Sequence, residues 1–179
     1  AAAGGTGQIL VQLCRHFGAH VIGTTSSDAK AATAKKAGAH DVIIYTKQDI
    51  VAEVLRITDG KGVHCVFDGV GKTTFDQSLA SLRRLGFLLS FGNASGKVAD
   101  VDIMKIVPRA IRLMRPSLYE FLKSKEDYEL LIGQTLALYA NKKFTLAISP
   151  AYPLADAAQA HADIEGGKTQ GKLVIRIAP

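Results

Sequence analysis

A glycine-rich turn over residues 1–7, Ala-Ala-Ala-Gly-Gly-Thr-Gly, runs directly into an apolar stretch with the pattern of a helix. Residues 2–7 match the dinucleotide fingerprint G-x-G-x-x-G with alanine in its first place. Glycines let the backbone approach a ligand, and the free amides at a helix N-terminus attract negative charge. We therefore predict that a dinucleotide pyrophosphate is bound by Gly4, Gly5, Thr6 and Gly7.

The identity of the dinucleotide depends on the residues after the next predicted strand, which ends at Thr25. NAD enzymes usually have an acid about 20 residues after the turn, which binds the ribose 2′-hydroxyl. Here the first acid is Asp28, placed where the helix dipole already favours it. Hydroxyls and an ammonium suit a 2′-phosphate, so Ser26 and Lys30 predict NADPH. Tyr45 ends the following strand and either contacts that phosphate or the adenine, or only packs there.

Two further glycine-containing segments follow later predicted strands. They are Asp-Gly-Val-Gly at 68–71 and Phe-Gly-Asn-Ala-Ser-Gly at 91–96. Ligands of open α/β sheets bind at the carboxyl ends of strands, so both segments are candidate cofactor contacts. Ordinary turn chemistry is the alternative for each.

The elements that position these residues alternate along the chain. Strands are predicted at 21–25, 41–45, 63–68 and 86–92, separated by helices at 27–38, 49–58 and 73–85. Nearly continuous apolar strands between amphipathic helices indicate a doubly wound parallel sheet of the Rossmann type. The glycine turn should follow a buried strand and none precedes Ala1, so we expect a sheet truncated at its first strand.

The second half of the sequence does not continue this regular alternation of strands and helices. We predict a short helix at 103–113, an extended segment at 115–119, helices at 125–141 and 155–164, and a last strand at 171–177.

Composition excludes several classes of protein. No apolar run approaches the roughly 20 residues that span a bilayer. The net charge of +6 permits nucleic-acid binding, but the basic residues are scattered and no aromatic-rich strand accompanies them, so we regard this as the minor alternative. Cys14 and Cys65 are expected to be free thiols in a reducing, cytoplasmic setting. The five histidines show no metal-like grouping, and no catalytic residue is predicted.

The ordered set of motifs resembles the quinone oxidoreductase (zeta-crystallin-like) branch of the zinc-free medium-chain dehydrogenases/reductases. The resemblance spans essentially the whole chain. Its matching segments are residues 1–7, 18–24, 30, 37–39, 45, 67–71, 91–96, 115–118, 152–161 and 168–172.

This resemblance implies a site and an activity. The turn at Gly4–Gly7 would hold the pyrophosphate, Lys30 and Tyr45 the adenosine phosphate end, and Phe91, Gly92 and Leu118 the approach to the nicotinamide. Similar proteins reduce quinones or activated alkenes with NADPH, without zinc, and usually form homodimers through this domain. On this basis residues 1–148 are expected to be the NADPH-binding domain. Residues 149–179 would return to an absent, GroES-like substrate domain, and without that domain the chain as a whole is expected to be inactive.

Two positions depart from the family pattern. Gly69 stands where members often have serine, and Gly167 stands where they often have arginine before Lys168. Both changes put the strength of cofactor binding in doubt. An alcohol dehydrogenase or enoyl-thioester reductase on the same scaffold remains an alternative, as does a non-enzymatic RNA-binding protein with this fold.

Overall fold

The computed structural model describes residues 1–149, 151–167 and 169–177. Lys168 and the last two positions of the predicted return segment lie outside the described residues. Two compact units are present, one formed by residues 1–46 with 135–179 and the other by residues 47–134. This grouping does not test the predicted division at residue 148.

The first unit opens with two helix–strand pairs: α1 (Gly5–His16), β1 (Ile22–Thr25), α2 (Asp28–Lys36) and β2 (Asp41–Ile44). β1 and β2 pair in parallel, with Thr25 opposite Ile44. The predicted serine start of the second helix is confirmed, because the Ser27 hydroxyl accepts the amide of Lys30 at 3.4 Å. The buried core here is small: Ala2, Val11, Ala34 and Ala39. Short side chains let the helices lie close to the strands.

The second unit holds α3 (Ile50–Ile57), β3 (Val63–Asp68), α4 (Phe75–Ala80), β4 (Leu82–Ser90), a 3₁₀ helix (Ile103–Arg109), β5 (Arg112–Met114) and α5 (Leu118–Phe121). Its three strands form one parallel sheet in the order β3–β4–β5. The buried core beside this sheet consists of Phe75, Leu79, Leu82, Leu88 and Ile111.

Helix α6 (Lys125–Ala140) runs from the second unit into the remainder of the first. It is followed by β6 (Tyr152–Pro153), a 3₁₀ turn (Leu154–Asp156), α7 (Ala157–Glu165) and β7 (Ile175–Arg176), and β6 and β7 pair in parallel. Single parallel bridges join Gly4 to Gly171 and Ile148 to Lys172.

The predicted α/β class with parallel strands is confirmed, but several element boundaries were wrong. The predicted helix at 73–85 ends at Ala80, because Leu82 already pairs with Val63 and begins β4. The register shifts between Val63 and Cys65, and Leu85 has a φ of 60°, so the start of β4 is irregular.

Three other predictions also need correction. The helix predicted at 103–113 is a 3₁₀ helix that ends at Arg109, after which the chain turns into β5. The segment predicted as extended at 115–119 enters α5 at Leu118. The last strand is reduced to the bridges at Gly171 and Lys172 and the two residues of β7. Within the described residues, no helix is long and apolar enough to cross a membrane.

Candidate cofactor site

The glycine turn ends in a helix N-terminus with unpaired amides. Gly4 is the N-cap of α1 and has no side chain to cap it. Gln8 is the first residue of the helix whose amide is bonded, to the carbonyl of Gly4 at 2.9 Å. Within the described residues, no acceptor pairs with the amides of Gly5, Thr6 or Gly7. These amides lie at the positive end of the helix dipole, so the turn fits a diphosphate.

The glycines of this turn serve different purposes. A Cβ on Gly7 would lie 2.1 Å from the carbonyl oxygen of Ala1, so this glycine is needed for the helix to pack on the turn. A Cβ on Gly5 would lie 3.1 Å from the carbonyl oxygen of Gly171. A Cβ on Gly4 would meet nothing nearer than 3.6 Å. Gly4 is therefore free of steric demands from the protein itself.

The turn is fixed to the first strand. The amide of Ala2 donates to the carbonyl of Thr24 at 3.0 Å, and the side-chain amide of Gln8 donates to the carbonyl of Ala3 at 2.8 Å. A side chain on Gly23 would lie 2.9 Å from the Cβ of Ala2, so this strand position must also stay small. These contacts bring the turn to the strand that carries the predicted specificity residues.

Ser26, Lys30 and Tyr45 lie at the same end of β1 and β2. The amide of Tyr45 donates to the carbonyl of Thr25 at 3.0 Å, and the Thr46 hydroxyl donates to the carbonyl of Ser26 at 2.9 Å. The Tyr45 side chain is 49% exposed and available to a ligand. The structure thus brings these three residues to one edge of the sheet, and a role in cofactor binding remains a proposal.

Lys30 has a partner that the sequence did not predict. Its ammonium donates to the carbonyl of Gly167, and the Thr33 hydroxyl one turn later donates to the side-chain oxygen of Gln170. An ammonium has three protons, so two remain for other acceptors. The segment around Gly167 therefore lies along α2 and holds the lysine that the sequence assigned to the 2′-phosphate.

A buried hydroxyl lies at the end of β1. Thr25 is 2% exposed, and its Oγ1 has no hydrogen-bond partner within the described residues. It lies on the same strand face as Gly23, which is the face towards Ala2 of the turn. A buried hydroxyl without a partner costs free energy, so this atom is a donor and acceptor left over beside the proposed pyrophosphate site.

The second unit presents a different arrangement at the carboxyl end of β3. The Asp68 side chain is buried and accepts the amides of Val70 at 2.8 Å and Gly71 at 3.0 Å. The hydroxyls of Thr74 and Ser78 also donate to this carboxylate, each at 2.9 Å. Asp68 therefore fixes the loop that follows β3, and both of its carboxylate oxygens accept hydrogen bonds in doing so.

The loop after β4 is bonded to the loop after β3. The amides of Phe91 and Gly92 donate to the carbonyl of Asp68 at 2.8 and 3.3 Å. A Cβ on Gly92 would lie 2.2 Å from the carbonyl oxygen of Gly69, so glycine is required there. Phe91 and Gly92 directly follow the end of β4, and their assignment to the nicotinamide stays a prediction. Leu118 begins α5 and is 67% exposed, and its assignment to the nicotinamide stays a prediction.

Arg115, which lies in one of the segments that resemble the family, contacts the end of β4. Its guanidinium donates to the carbonyl of Ser90 at 2.7 Å, directly before Phe91. The sequence signal for it was the arginine–proline pair after a strand. Among the described residues, no group of three or more His, Cys, Asp or Glu side chains could hold a metal ion. Partial burial raises the pKa of the Cys14 thiol, which disfavours the thiolate that metals bind.

The chain is similar to known proteins over most of its length. The family model described as "Zinc-binding dehydrogenase" matches residues 5–135. Quinone oxidoreductase 1 of Escherichia coli is 38% identical over 178 residues, which are 98% of this chain and 54% of that protein. The 2-haloacrylate reductase of a Burkholderia species is 37% identical over 179 residues, which are 98% of this chain and 53% of that protein.

A solved mycobacterial protein in complex with NADPH superposes with a TM-score of 0.94 and 41% identity, covering 99% of this chain and 55% of that one. The chain thus spans about half the length of the relatives it matches. The resemblance to quinone oxidoreductases is confirmed, and the chain belongs to the zinc-binding dehydrogenase family.

Proposed function

We propose that this chain is the NADPH-binding part of a reductase that transfers hydride to quinones or activated alkenes. The observation that carries the proposal is the set of unpaired amides at Gly5–Gly7, at the start of α1. These amides bind the pyrophosphate and need no rearrangement to do so. The names of the relatives support the class of reaction: one is a quinone oxidoreductase and another a 2-haloacrylate reductase.

The chain's own residues bind and orient the cofactor. The nicotinamide supplies the hydride when bound, so the protein contributes position and electrostatics. Gly4–Gly7 hold the pyrophosphate, and Ser26, Lys30 and Tyr45 hold the adenosine 2′-phosphate. Phe91, Gly92 and Leu118 line the nicotinamide end.

The selectivity for NADPH is assigned to Lys30. An ammonium that is already held by the carbonyl of Gly167 is oriented before the phosphate arrives. Hydrogen bonds to charged groups contribute about 1.5–3 kcal/mol, so Lys30→Ala should weaken NADPH binding roughly ten- to hundredfold. NADH lacks the 2′-phosphate and should bind the variant as it binds the parent protein.

The test is a fluorescence titration of both cofactors with the protein, Lys30→Ala and Lys36→Ala. Lys36 is exposed on the same helix and keeps the charge change equal. An equal loss for NADPH and NADH in Lys30→Ala would contradict the assignment, as would tighter binding of NADH by the parent. RNA binding that depends on salt and is not competed by NADPH would favour the non-enzymatic alternative.

The acceptor is tested with the full-length protein. We expect NADPH to be oxidised when a quinone or an alkene conjugated to a carbonyl group is the acceptor, and we expect simple alcohols not to reduce NADP⁺. Alcohol oxidation that requires zinc would instead favour the dehydrogenase alternative.

We also propose a homodimer formed through the second unit. β5 pairs with β4 on one side, and its residues are exposed, Leu113 at 38% and Met114 at 37%. An open strand edge with apolar side chains is a surface that a second copy can cover. Sedimentation of the protein should give twice the monomer mass, and a monomer at micromolar concentration would contradict this.

A further inference from the structure

The side chain of Phe91 is in contact with a position that has no side chain. A Cβ added to Gly69 would lie 2.8 Å from Cζ and 3.0 Å from Cε2 of the Phe91 ring. Real Cβ atoms do not approach other atoms so closely. The ring therefore occupies the volume that any other residue at position 69 would need.

The obstruction at Gly69 is unlike that at the neighbouring glycines. Gly71 has a φ of +92°, and a Cβ there would meet the carbonyl oxygen of Gly96 at 2.8 Å. A Cβ on Gly92 would meet the backbone of Gly69 itself. Gly69 is not among the described residues with positive φ, and what blocks a side chain there is a ring that can rotate. A substitution at this position is therefore accommodated by Phe91 and not by the backbone.

The backbone around Phe91 leaves the ring as the one part that can yield. Its amide is bonded to the carbonyl of Asp68 at 2.8 Å, and the amide of Ala94 is bonded to the carbonyl of Gly69 at 3.3 Å. The carboxylate of Asp68 accepts the amides of Val70 and Gly71, which follow Gly69 in the loop after β3. The ring is 37% exposed, so it can turn outwards from the sheet edge into the space beyond it.

We propose that Gly69 is a positioning residue for Phe91 and thereby sets the room available to the acceptor at the nicotinamide end of the site. The inference depends on the proposed function, in which Phe91 lines that end. A glycine at position 69 lets the ring fold back over the loop and keeps the sheet edge clear for a planar acceptor. A side chain at this position turns the ring into that space.

The geometry can be tested without any cofactor. The chain contains no tryptophan, so Phe91→Trp places a single tryptophan at the ring position, and its emission is read by selective excitation of indole. We expect the emission of this reporter to move to longer wavelength when Gly69→Ser is added, because the ring is turned into solvent. Gly133→Ser is the matched control, since a Cβ there meets nothing within 4 Å, and it should leave the emission unchanged. Identical emission with Gly69 and with Gly69→Ser would overturn the proposal.

The functional consequence is tested by a double-mutant cycle in the full-length protein. Gly69→Ser should lower kcat/KM for a bulky quinone about tenfold and for a small one less. In a Phe91→Ala background, Gly69→Ser should have almost no effect, because there is no ring to displace. An equal loss in both backgrounds would assign Gly69 a merely structural role and overturn the proposal. Failure of the parent protein to bind NADPH would refute the proposed function, and the reporter shift would still decide whether Gly69 positions the ring.

Discussion

Two regions of this chain are both rich in glycine but differ in their hydrogen bonding. In the first unit, the turn at Gly4–Gly7 leaves its helix amides unpaired within the described residues. In the second unit, the loops at 68–71 and 91–96 bond to each other, and the Asp68 carboxylate accepts two amides of the first of these loops. The first region can therefore bind an anion with its backbone, whereas the backbone amides of the second already have acceptors within the protein. Glycine content alone does not distinguish these roles.

The largest loss of stability is expected when the hydrogen bonds that hold the second region are removed. Asp68→Ala would leave two loop amides and the Ser78 hydroxyl without their acceptor, and the Thr74 hydroxyl would keep the carbonyl of Gly71 at 3.3 Å. The loss of a buried charged acceptor should cost about 3–5 kcal/mol of unfolding free energy, measured by urea denaturation. The control is Asp76→Ala, whose exposed ion pair with Lys105 at 2.8 Å should be worth at most about 1 kcal/mol. Similar costs for the two variants would mean that the Asp68 network does not hold the loops.

A smaller loss is expected where the first region packs against itself. Gly7→Ala places a Cβ 2.1 Å from the carbonyl oxygen of Ala1, so α1 must move away from the turn. The helix propensity of alanine gains about 1 kcal/mol, but the clash should outweigh it by about 1–3 kcal/mol. Thermal unfolding measures this cost. An unchanged melting temperature would show that the close packing of the turn is dispensable.

Gly4→Ala distinguishes an effect on cofactor binding from an effect on stability. The protein has room for this Cβ, so the melting temperature should stay the same. A cofactor that approaches the backbone has no such room, and NADPH affinity should fall about tenfold. Unchanged affinity, measured by the same fluorescence titration, would indicate that the pyrophosphate does not lie over Gly4.

The smallest effect concerns the hydroxyl of Thr25. Thr25→Val keeps the shape and removes a buried group without a described partner, so the free protein should gain up to about 1 kcal/mol of stability. The hydroxyls of Thr74 and Ser78 in the second region are bonded, and valine at either position should be destabilising by about 1 kcal/mol. Destabilisation by Thr25→Val would show that the hydroxyl is bonded in solution.

Local pattern was sufficient for some elements and not for others. β1, β2 and β3 follow from short β-branched runs between helical stretches, and the start of α2 follows from the Ser27 cap. The end of α4 could not be predicted, because Leu82 belongs to a strand only through its pairing with Val63. Such long-range pairing overrides the helical pattern of the segment.

The candidate site shows the same limit. The residues of the turn and the position of Lys30 follow from motif and spacing, since both act through local backbone geometry. The carbonyl of Gly167 beside Lys30, the leftover hydroxyl of Thr25 and the ring of Phe91 over Gly69 depend on packing between distant segments. No local signal predicts these contacts.

The bridge between Gly4 and Gly171 affects the order in which parts of the chain fold. Further links join Gln12 to Thr145 and Lys30 to Gly167, across 133 and 137 residues. Pairings this distant in sequence form late, because the whole intervening loop must close first. During synthesis, α1 and β1 emerge long before the segment that supports their glycine turn. The glycine turn therefore becomes competent for a nucleotide only after the segment around Gly171 has been made and has paired with it.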